Sequence, residues 1–208
     1  MSNNYFLSGK YIRNVEHIKD LRLIVDNRLR FDLHIEQLRK KAYKTVKFFK
    51  VFHSRDKSLY IKAYNAYVLP IIDYSAIFYV FSSKSNISMI EKIQKYFTRI
   101  LYRKLYHNLP TPEYLLCLQE FSLQPISALF GKDDLLTLFK IANGTYALDG
   151  FDLRYSKSRS YRILLPTVRT ALYKNSFFHR PIVFWNYYVK SSFTSVESFA
   201  SFLSTLSF

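Results

Sequence analysis

The sequence is poor in the residues that punctuate turns. Its 208 residues include four glycines, six prolines and a single cysteine. So little glycine and proline argues against a turn-rich all-β protein and for long helices. The single cysteine, Cys117, excludes a disulfide framework and a cysteine-based zinc finger within the chain. Because Cys117 lies among leucines, we expect it to be a small core residue.

Groups that carry common enzyme chemistry are also sparse. The glycines are too scattered for a phosphate-binding loop, and the five histidines show no metal-ligand spacing. The one adjacent acidic pair, Asp133 and Asp134, falls inside a helical pattern, which favours solvated surface or helix capping over a two-metal site. We therefore expect no enzyme, no catalytic residue and no cofactor in this chain.

The amino terminus lacks the signature of a secretory signal. It has no basic start followed by an apolar stretch of about 7–15 residues. We expect a protein that is not secreted, and a nuclear or cytoplasmic location if the chain is expressed.

Acidic residues are half as frequent as basic ones, and this imbalance is the strongest positive signal. The chain has 31 Lys and Arg against 15 Asp and Glu, a net charge of +16. A protein this basic usually binds a polyanion, of which nucleic acid is the first candidate and an anionic membrane the second. The 18 tyrosines and 19 phenylalanines could also stack on unpaired bases.

Hydrophobic periodicity predicts a mainly α protein with a short N-terminal β part. Residues 1–31 alternate like strands, 32–145 form a helical bundle, 146–175 make a basic linker, and 176–208 form a helical pair. The first helix begins near Asp32, and its apolar stripe consists of Ile35, Leu38, Ala42, Val46, Phe49 and Phe52. We also expect Trp185, in the C-terminal pair, to face the core.

Several helix ends can be assigned from capping and turn residues. Ser54 is the expected N-cap of the second helix, residues 88–91 (Ser-Met-Ile-Glu) form a capping box for the third, and Pro112 opens the next. A later helix follows Pro125 and stops at Asn143-Gly144.

Two helices carry basic residues at a spacing of three and four, which places them on one face of each helix. Such a face can neutralise phosphates and release their counterions. The candidate phosphate contacts are Lys40, Lys44, Lys47, Lys92, Lys95, Arg99 and Arg103.

A membrane alternative rests on residues 63–83. This segment is long enough to span a bilayer and carries one charge, Asp73, but it also contains Asn65 and Pro70. It predicts either a basic membrane-associated protein that inserts these residues or, as we expect, a buried helix bent at Pro70.

Five short motifs follow one another over nearly the whole chain. They are residues 17–21 (His-Ile-Lys-Asp-Leu) with 24–26 (Ile-Val-Asp), 64–74 with Pro70 and Tyr74, 90–94 (Ile-Glu-Lys-Ile-Gln) with Arg99, 134–144, and 166–186 with Arg180 and Trp185. In content and order they resemble the C-terminal part of a non-LTR (LINE-type, jockey-like) retrotransposon reverse transcriptase.

The resemblance implies a fragment of an RNA-directed DNA polymerase that begins after the catalytic core. The family's metal-binding Ala-Asp-Asp turn, which would hold Mg²⁺ in the parent, is absent, and Arg22 replaces a usual glycine. The remaining bundle is similar to the thumb, so its implied partner is the backbone of an RNA–DNA or DNA duplex, bound without sequence preference. The other possibility is an element relic that retains no activity.

Overall fold

The computed structural model describes residues 5–74, 76–79, 83–147, 152–158 and 161–206. The expected fold class is confirmed, since these residues are mainly helical with two short antiparallel hairpins near the amino terminus. The strands are β1 Tyr5–Leu7, β2 Lys10–Ile12, β3 His17–Asp20 and β4 Leu23–Asp26. The helices are α1 Asp32–Phe48, α2 Lys57–Tyr67, α3 Leu69–Asp73, α4 Ala76–Tyr79, α5 Lys84–Leu105, α6 Tyr114–Glu120, α7 Ile126–Ala142, α8 Ala171–Asn175, α9 Arg180–Tyr188 and α10 Val196–Thr205.

A carboxylate organises the passage from β4 to α1. Asp26 accepts hydrogen bonds from the backbone N–H groups of Arg28, Arg30 and Phe31, the last at 2.7 Å. Partial burial alone raises the pKa of Asp26, but these bonds outweigh it and lower that pKa below its ordinary value. The resulting turn delivers the chain to the first helix, which begins at Asp32 as predicted.

The apolar stripe of α1 faces the core, apart from its last member. Ile35, Ala42 and Val46 are fully buried. The inclusion of Phe52 was wrong, because α1 ends at Phe48 and Phe52 lies beyond it, 40% exposed.

Three predicted helix starts are displaced. Asp56, not Ser54, caps α2, and Ser83 caps α5 by accepting from the Asn86 N–H. The supposed box at residues 88–91 thus lies inside α5, and α6 starts two residues after Pro112. The extra turn of α5 is held by a contact that local rules cannot reveal, since the Asn86 side chain donates to the Arg30 carbonyl.

Pro70 divides the segment at residues 63–83, as expected. Helix α2 ends at Tyr67, and Pro70 lies in the first turn of α3. Tyr64, Val68 and Ile72 are buried at intervals of four residues, whereas Tyr67 is 67% exposed, so the segment is amphipathic and not buried all round.

Within the segment at residues 63–83, residues 75 and 80–82 lie outside the described part. In the portion that is described, no helix has both the length and the apolar character needed to cross a bilayer.

Helix α7 joins two separate hydrophobic cores. Its amino-terminal half, with Ile126 and Phe130, completes a first core built mainly by α1, α2 and α5. Its carboxyl-terminal half, with Leu138 and Phe139, packs into a second core with α9 and α10. The boundary between the two cores therefore falls within α7, because the two halves of this helix face different neighbours. This boundary lies inside residues 32–145, the range that the sequence assigned to a single helical bundle. Helix α7 begins after Pro125 and ends at Asn143-Gly144, as predicted.

The described part of the predicted linker packs onto α9. Asn186 exchanges two hydrogen bonds with the Ile163 backbone, and the Trp185 indole N–H donates to the Tyr161 carbonyl at 2.6 Å. Trp185 is 5% exposed, so the expectation that it faces the core is confirmed. The segment is irregular up to α8, but buried Ile163 makes it part of the second core. Residues 148–151 and 159–160 lie outside the described chain.

Candidate nucleic-acid interface

The adjacent acids of α7 have separate environments. Asp134 is 3% exposed and receives two bonds from Arg180, from Nε at 2.6 Å and from Nη2 at 3.0 Å. Burial raises the pKa of Asp134, and Arg180 opposes that rise. The expectation of solvated surface or helix capping was thus wrong for Asp134, since its partner lies 46 residues away in sequence.

Asp133 points about 100° away from Asp134 around the helix. Partial burial, with the Asp73 and Asp134 carboxyls nearby, raises the pKa of Asp133 to about 6. Within the described ranges, no cluster of three or more His, Cys, Asp or Glu side chains could hold a metal ion.

All seven candidate phosphate contacts are exposed and lie on α1 or α5. These two helices carry eleven basic and three acidic residues, which accounts for half of the net charge of +16. The cationic character of the chain is therefore concentrated on two elements.

Helices α1 and α5 lie side by side and run in the same direction. At their start the Asn86 side chain contacts the Arg30 carbonyl, and just past the end of α1 Phe49 packs on Phe97. Farther along the chain, Phe52 accepts at its carbonyl a hydrogen bond from the ammonium of Lys104, near the end of α5. Residues at matching heights on the two helices therefore lie near each other.

A pair of tyrosines joins the two helices at the edge of the first core. The rings of Tyr43 and Tyr96 meet edge to face with centroids 5.3 Å apart, and both side chains are half-buried. Burial, the main cause, raises the pKa of Tyr43, and Arg39 lowers it in part. The Lys50 ammonium lies 5.6 Å from the centre of the Tyr96 ring, a cation–π contact across the helix pair.

Helical geometry sorts the candidate residues around this tyrosine pair. At about 100° per residue, Lys40 and Lys47 lie within about 60° of Tyr43, and Lys92, Arg99 and Arg103 lie within about 60° of Tyr96. Lys44 and Lys95 each lie about 100° from the neighbouring tyrosine. We call the five nearer cations and the two tyrosines the α1–α5 surface. Lys50, absent from the candidate set, also belongs at its edge; it follows the same sequence spacing, but only its contact with Tyr96 assigns it there.

Most of these cations have no acidic partner. Lys40 pairs with Glu36 at 2.7 Å, one turn earlier on α1. The hydrogen bond from Lys40, its charge and that of Arg39 lower the pKa of Glu36. Arg103 contacts the Thr111 hydroxyl at 3.4 Å. Among the described residues, Lys47, Lys92 and Arg99 form no ion pair, so their charges face solvent uncompensated.

The acidic residue of α5, Glu91, stabilises the fold. The Glu91 carboxylate accepts from the backbone N–H groups of Ile126 and Ser127, each at 3.3 Å, and from the Tyr114 hydroxyl. It thus caps the amino terminus of α7 and points away from the basic face. The sequence offered no signal for this role, because Glu91 lies 35 residues before its partner.

Comparison with known proteins identifies a relative but no family. No family model matches the sequence, and no solved structure matches it. A Caenorhabditis elegans protein described as "Uncharacterized protein B0403.1" is 34% identical over 88 residues. This match covers 42% of the chain and 44% of the nematode protein, so the chain spans less than half of that relative. The relative's description mentions no activity or ligand.

Proposed function

We propose that this chain binds the phosphate backbone of a nucleic-acid duplex, without sequence preference, through the α1–α5 surface. The observation that carries the proposal is the convergence of five exposed cations around the Tyr43–Tyr96 contact of two parallel helices. Phosphate contacts position a duplex but carry no base information. The proposed parent is the thumb region of a non-LTR retrotransposon reverse transcriptase, which fits such a role.

The spacing of the cations suits a strand of phosphates. Lys40 and Lys47 are two helical turns apart, about 10 Å, as are Lys92 and Arg99. A nucleic-acid strand in a duplex presents one phosphate per about 3.4 Å of axis. Each helix can therefore contact phosphates about three nucleotides apart, and the two helices together can contact both strands.

The tyrosine pair favours a duplex over a single strand. Single-strand binders offer free aromatic faces on which unpaired bases stack. Tyr43 and Tyr96 instead pack against each other and are half-buried, and Lys50 lies over one of the rings. We infer that the tyrosines set the distance between the helices while the cations make the contacts.

The test is a salt titration of binding to a labelled RNA–DNA hybrid and to a DNA duplex. With five contacts, we expect the logarithm of the association constant to fall with a slope of about −4 to −5 against the logarithm of the salt concentration. Replacing Lys92, Arg99 and Arg103 with serine should flatten this slope by about one unit per lost contact, equally on all sequences. The double replacement of Lys44 and Lys95, which lie farther from the tyrosine pair, should flatten it by less than one unit.

Three results would contradict the proposal. The first is an equal loss per removed charge for the triple variant and for a control in which Lys157, an exposed residue outside α1 and α5, becomes serine. The second is the absence of hybrid binding together with retention on anionic liposomes at high salt, because apolar insertion is not screened; that result would support insertion of residues 63–83. The third is no binding at all, as expected of an element relic.

We also propose that the chain lacks polymerase activity, so primer extension with Mg²⁺ or Mn²⁺ should give no product.

A further inference from the structure

A second basic site lies on another flank of α1. A cleft of about 900 Å³ opens between the β3–β4 hairpin, α1 and the α2–α3 junction. The residues that matter for its chemistry are Lys19 and Arg22 of the hairpin, Gln37 and Lys41 of α1, Tyr67 of α2 and Tyr74 just after α3. We call this the hairpin cleft.

Two long-range hydrogen bonds fix the walls of the hairpin cleft. The Tyr74 hydroxyl donates to the carbonyl of Leu21, at the tip of the hairpin, at 2.5 Å. The backbone N–H of Ile24, on β4, donates to Nδ1 of His34, on α1, at 3.3 Å. Burial lowers the pKa of His34, which favours the neutral ring that accepts this hydrogen bond. The hairpin is thereby held over the two helices before any ligand arrives.

Arg22 occupies a backbone conformation that an arginine rarely adopts. The hairpin turn has positive φ at both Leu21 (42°) and Arg22 (68°), where glycine or asparagine is the usual choice. Strained residues are most often retained where their side chain has a role. The role available to Arg22 is to bring a guanidinium into the cleft.

The cleft collects three cations and no acid. Lys19, Arg22 and Lys41 line it, no Asp or Glu is among its lining residues, and none of the three cations forms an ion pair within the described chain. A guanidinium with two ammonium groups suits phosphate oxygens, the guanidinium through paired hydrogen bonds. The exposed ring of Tyr67, 67% accessible, stands at the same cleft and can stack on a planar base.

We propose that the hairpin cleft binds a nucleotide, with its phosphates on Lys19, Arg22 and Lys41 and its base on Tyr67. The volume lies within the range of small-molecule sites, about 300–1,000 Å³. The nucleotide can be a free mononucleotide or one unit of a single strand, since the recognised chemistry is the same. The site is separate from the α1–α5 surface, because Lys41 lies about 100° around α1 from Lys40.

The experiment uses three probes on the whole chain at low salt: ADP, inorganic pyrophosphate and a labelled eight-residue oligothymidylate. Arg22→Gly should weaken ADP and pyrophosphate binding by tenfold or more, and Lys41→Ser should act in the same direction. Tyr67→Ala should weaken ADP binding and leave pyrophosphate binding unchanged, because pyrophosphate has no base. Lys157→Ser is the matched control for loss of one positive charge and should change neither.

The Arg22→Gly variant separates function from folding. Glycine relieves the positive φ, so its melting temperature should equal or exceed that of the natural chain while its affinity for phosphate falls. Unchanged affinity for all three probes in this variant would overturn the proposal, as would an equal loss in Lys157→Ser. Binding of ADP identifies a free nucleotide as the ligand, whereas binding of the oligonucleotide alone identifies a unit of a single strand. Duplex binding through the α1–α5 surface should persist in Arg22→Gly, so the two proposals can fail independently.

Discussion

The two cores of this protein use charge in opposite ways. The first core buries no ion pair among the described residues, and its helices α1 and α5 direct their cations to solvent. The second core encloses the Asp134–Arg180 pair, whose side chains are 4% and 7% exposed. The exposed basic residues of α1 and α5 thus remain available to a ligand, whereas the guanidinium of Arg180 is used to stabilise the fold.

This contrast shows that a basic residue within a sequence motif does not by itself indicate a contact with nucleic acid. Arg180 belongs to the last motif of the retrotransposon resemblance, where a basic residue could suggest a contact with nucleic acid. Its Nη1 also donates to the Asn175 carbonyl at 2.7 Å, so three of its donors are used within the chain. The search for phosphate contacts therefore narrows to the cations that border the first core.

Breaking the buried pair should have the largest effect on stability. Arg180→Ala leaves the Asp134 carboxylate buried without its partner, and we expect a loss of about 3–5 kcal/mol in the free energy of unfolding. Lys57→Ala breaks the exposed Lys57–Glu120 pair at 3.4 Å and should cost less than about 1 kcal/mol. Urea melts of both variants measure the difference.

A double variant sharpens the same test. Replacing Asp134 with leucine and Arg180 with methionine removes both charges together, so no buried charge is left alone. This variant should recover most of the stability lost in Arg180→Ala. Equal losses in the single and double variants would show that shape, and not charge compensation, governs this contact.

Local signals explain which parts of the fold the sequence could predict. The stripe from Ile35 to Val46 and the Pro125–Gly144 boundaries of α7 depend on spacing and on turn residues, and both were right. The box at residues 88–91 was wrong because Asn86, contacting Arg30, extends α5 by a turn. Such a contact, 56 residues apart in sequence, leaves no local trace.

The same limit applies to the candidate site. Spacing placed seven cations on two helices, and all seven are exposed there. Periodicity fixes a residue's angle on its own helix, but the rotation of one helix against another is set by packing. The Tyr43–Tyr96 contact therefore separates Lys44 and Lys95 from the other five, and the contact of Lys50 with Tyr96 adds Lys50. The hairpin cleft, built from three distant segments, had no sequence signal apart from Arg22.

The pH dependence of stability should reveal the titration of Asp133. Because its pKa is about 6 in the folded chain and near 3.8 without the fold, ionisation of Asp133 opposes folding. This cost is absent well below pH 3.8, grows as the pH rises to 6, and is constant above. A shift of two pKa units corresponds to about 3 kcal/mol, but the side chain keeps more than a third of its surface open to water, so we expect about 1 kcal/mol.

Asp133→Asn should therefore be more stable than the natural chain by about 1 kcal/mol at pH 8. At pH 4 the advantage should shrink to a small fraction of that value, since the natural side chain is then protonated when folded. Urea melts at the two pH values provide the measurement. A gain of the same size at both values would mean that the substitution acts through packing or helix propensity and not through titration.

The smallest effect should come from freeing a cation of the first core. Glu36 holds Lys40 by an exposed pair, and Glu36→Gln releases that ammonium while keeping nearly the same helix propensity. Affinity for the RNA–DNA hybrid should rise by about two- to fivefold at low salt, because Glu36 no longer competes with a phosphate for Lys40. Glu197→Gln, an exposed site on α10, removes the same charge far from α1 and is the matched control. Equal gains in the two variants would reflect net charge alone, and would show that Lys40 lies outside the surface that the duplex contacts.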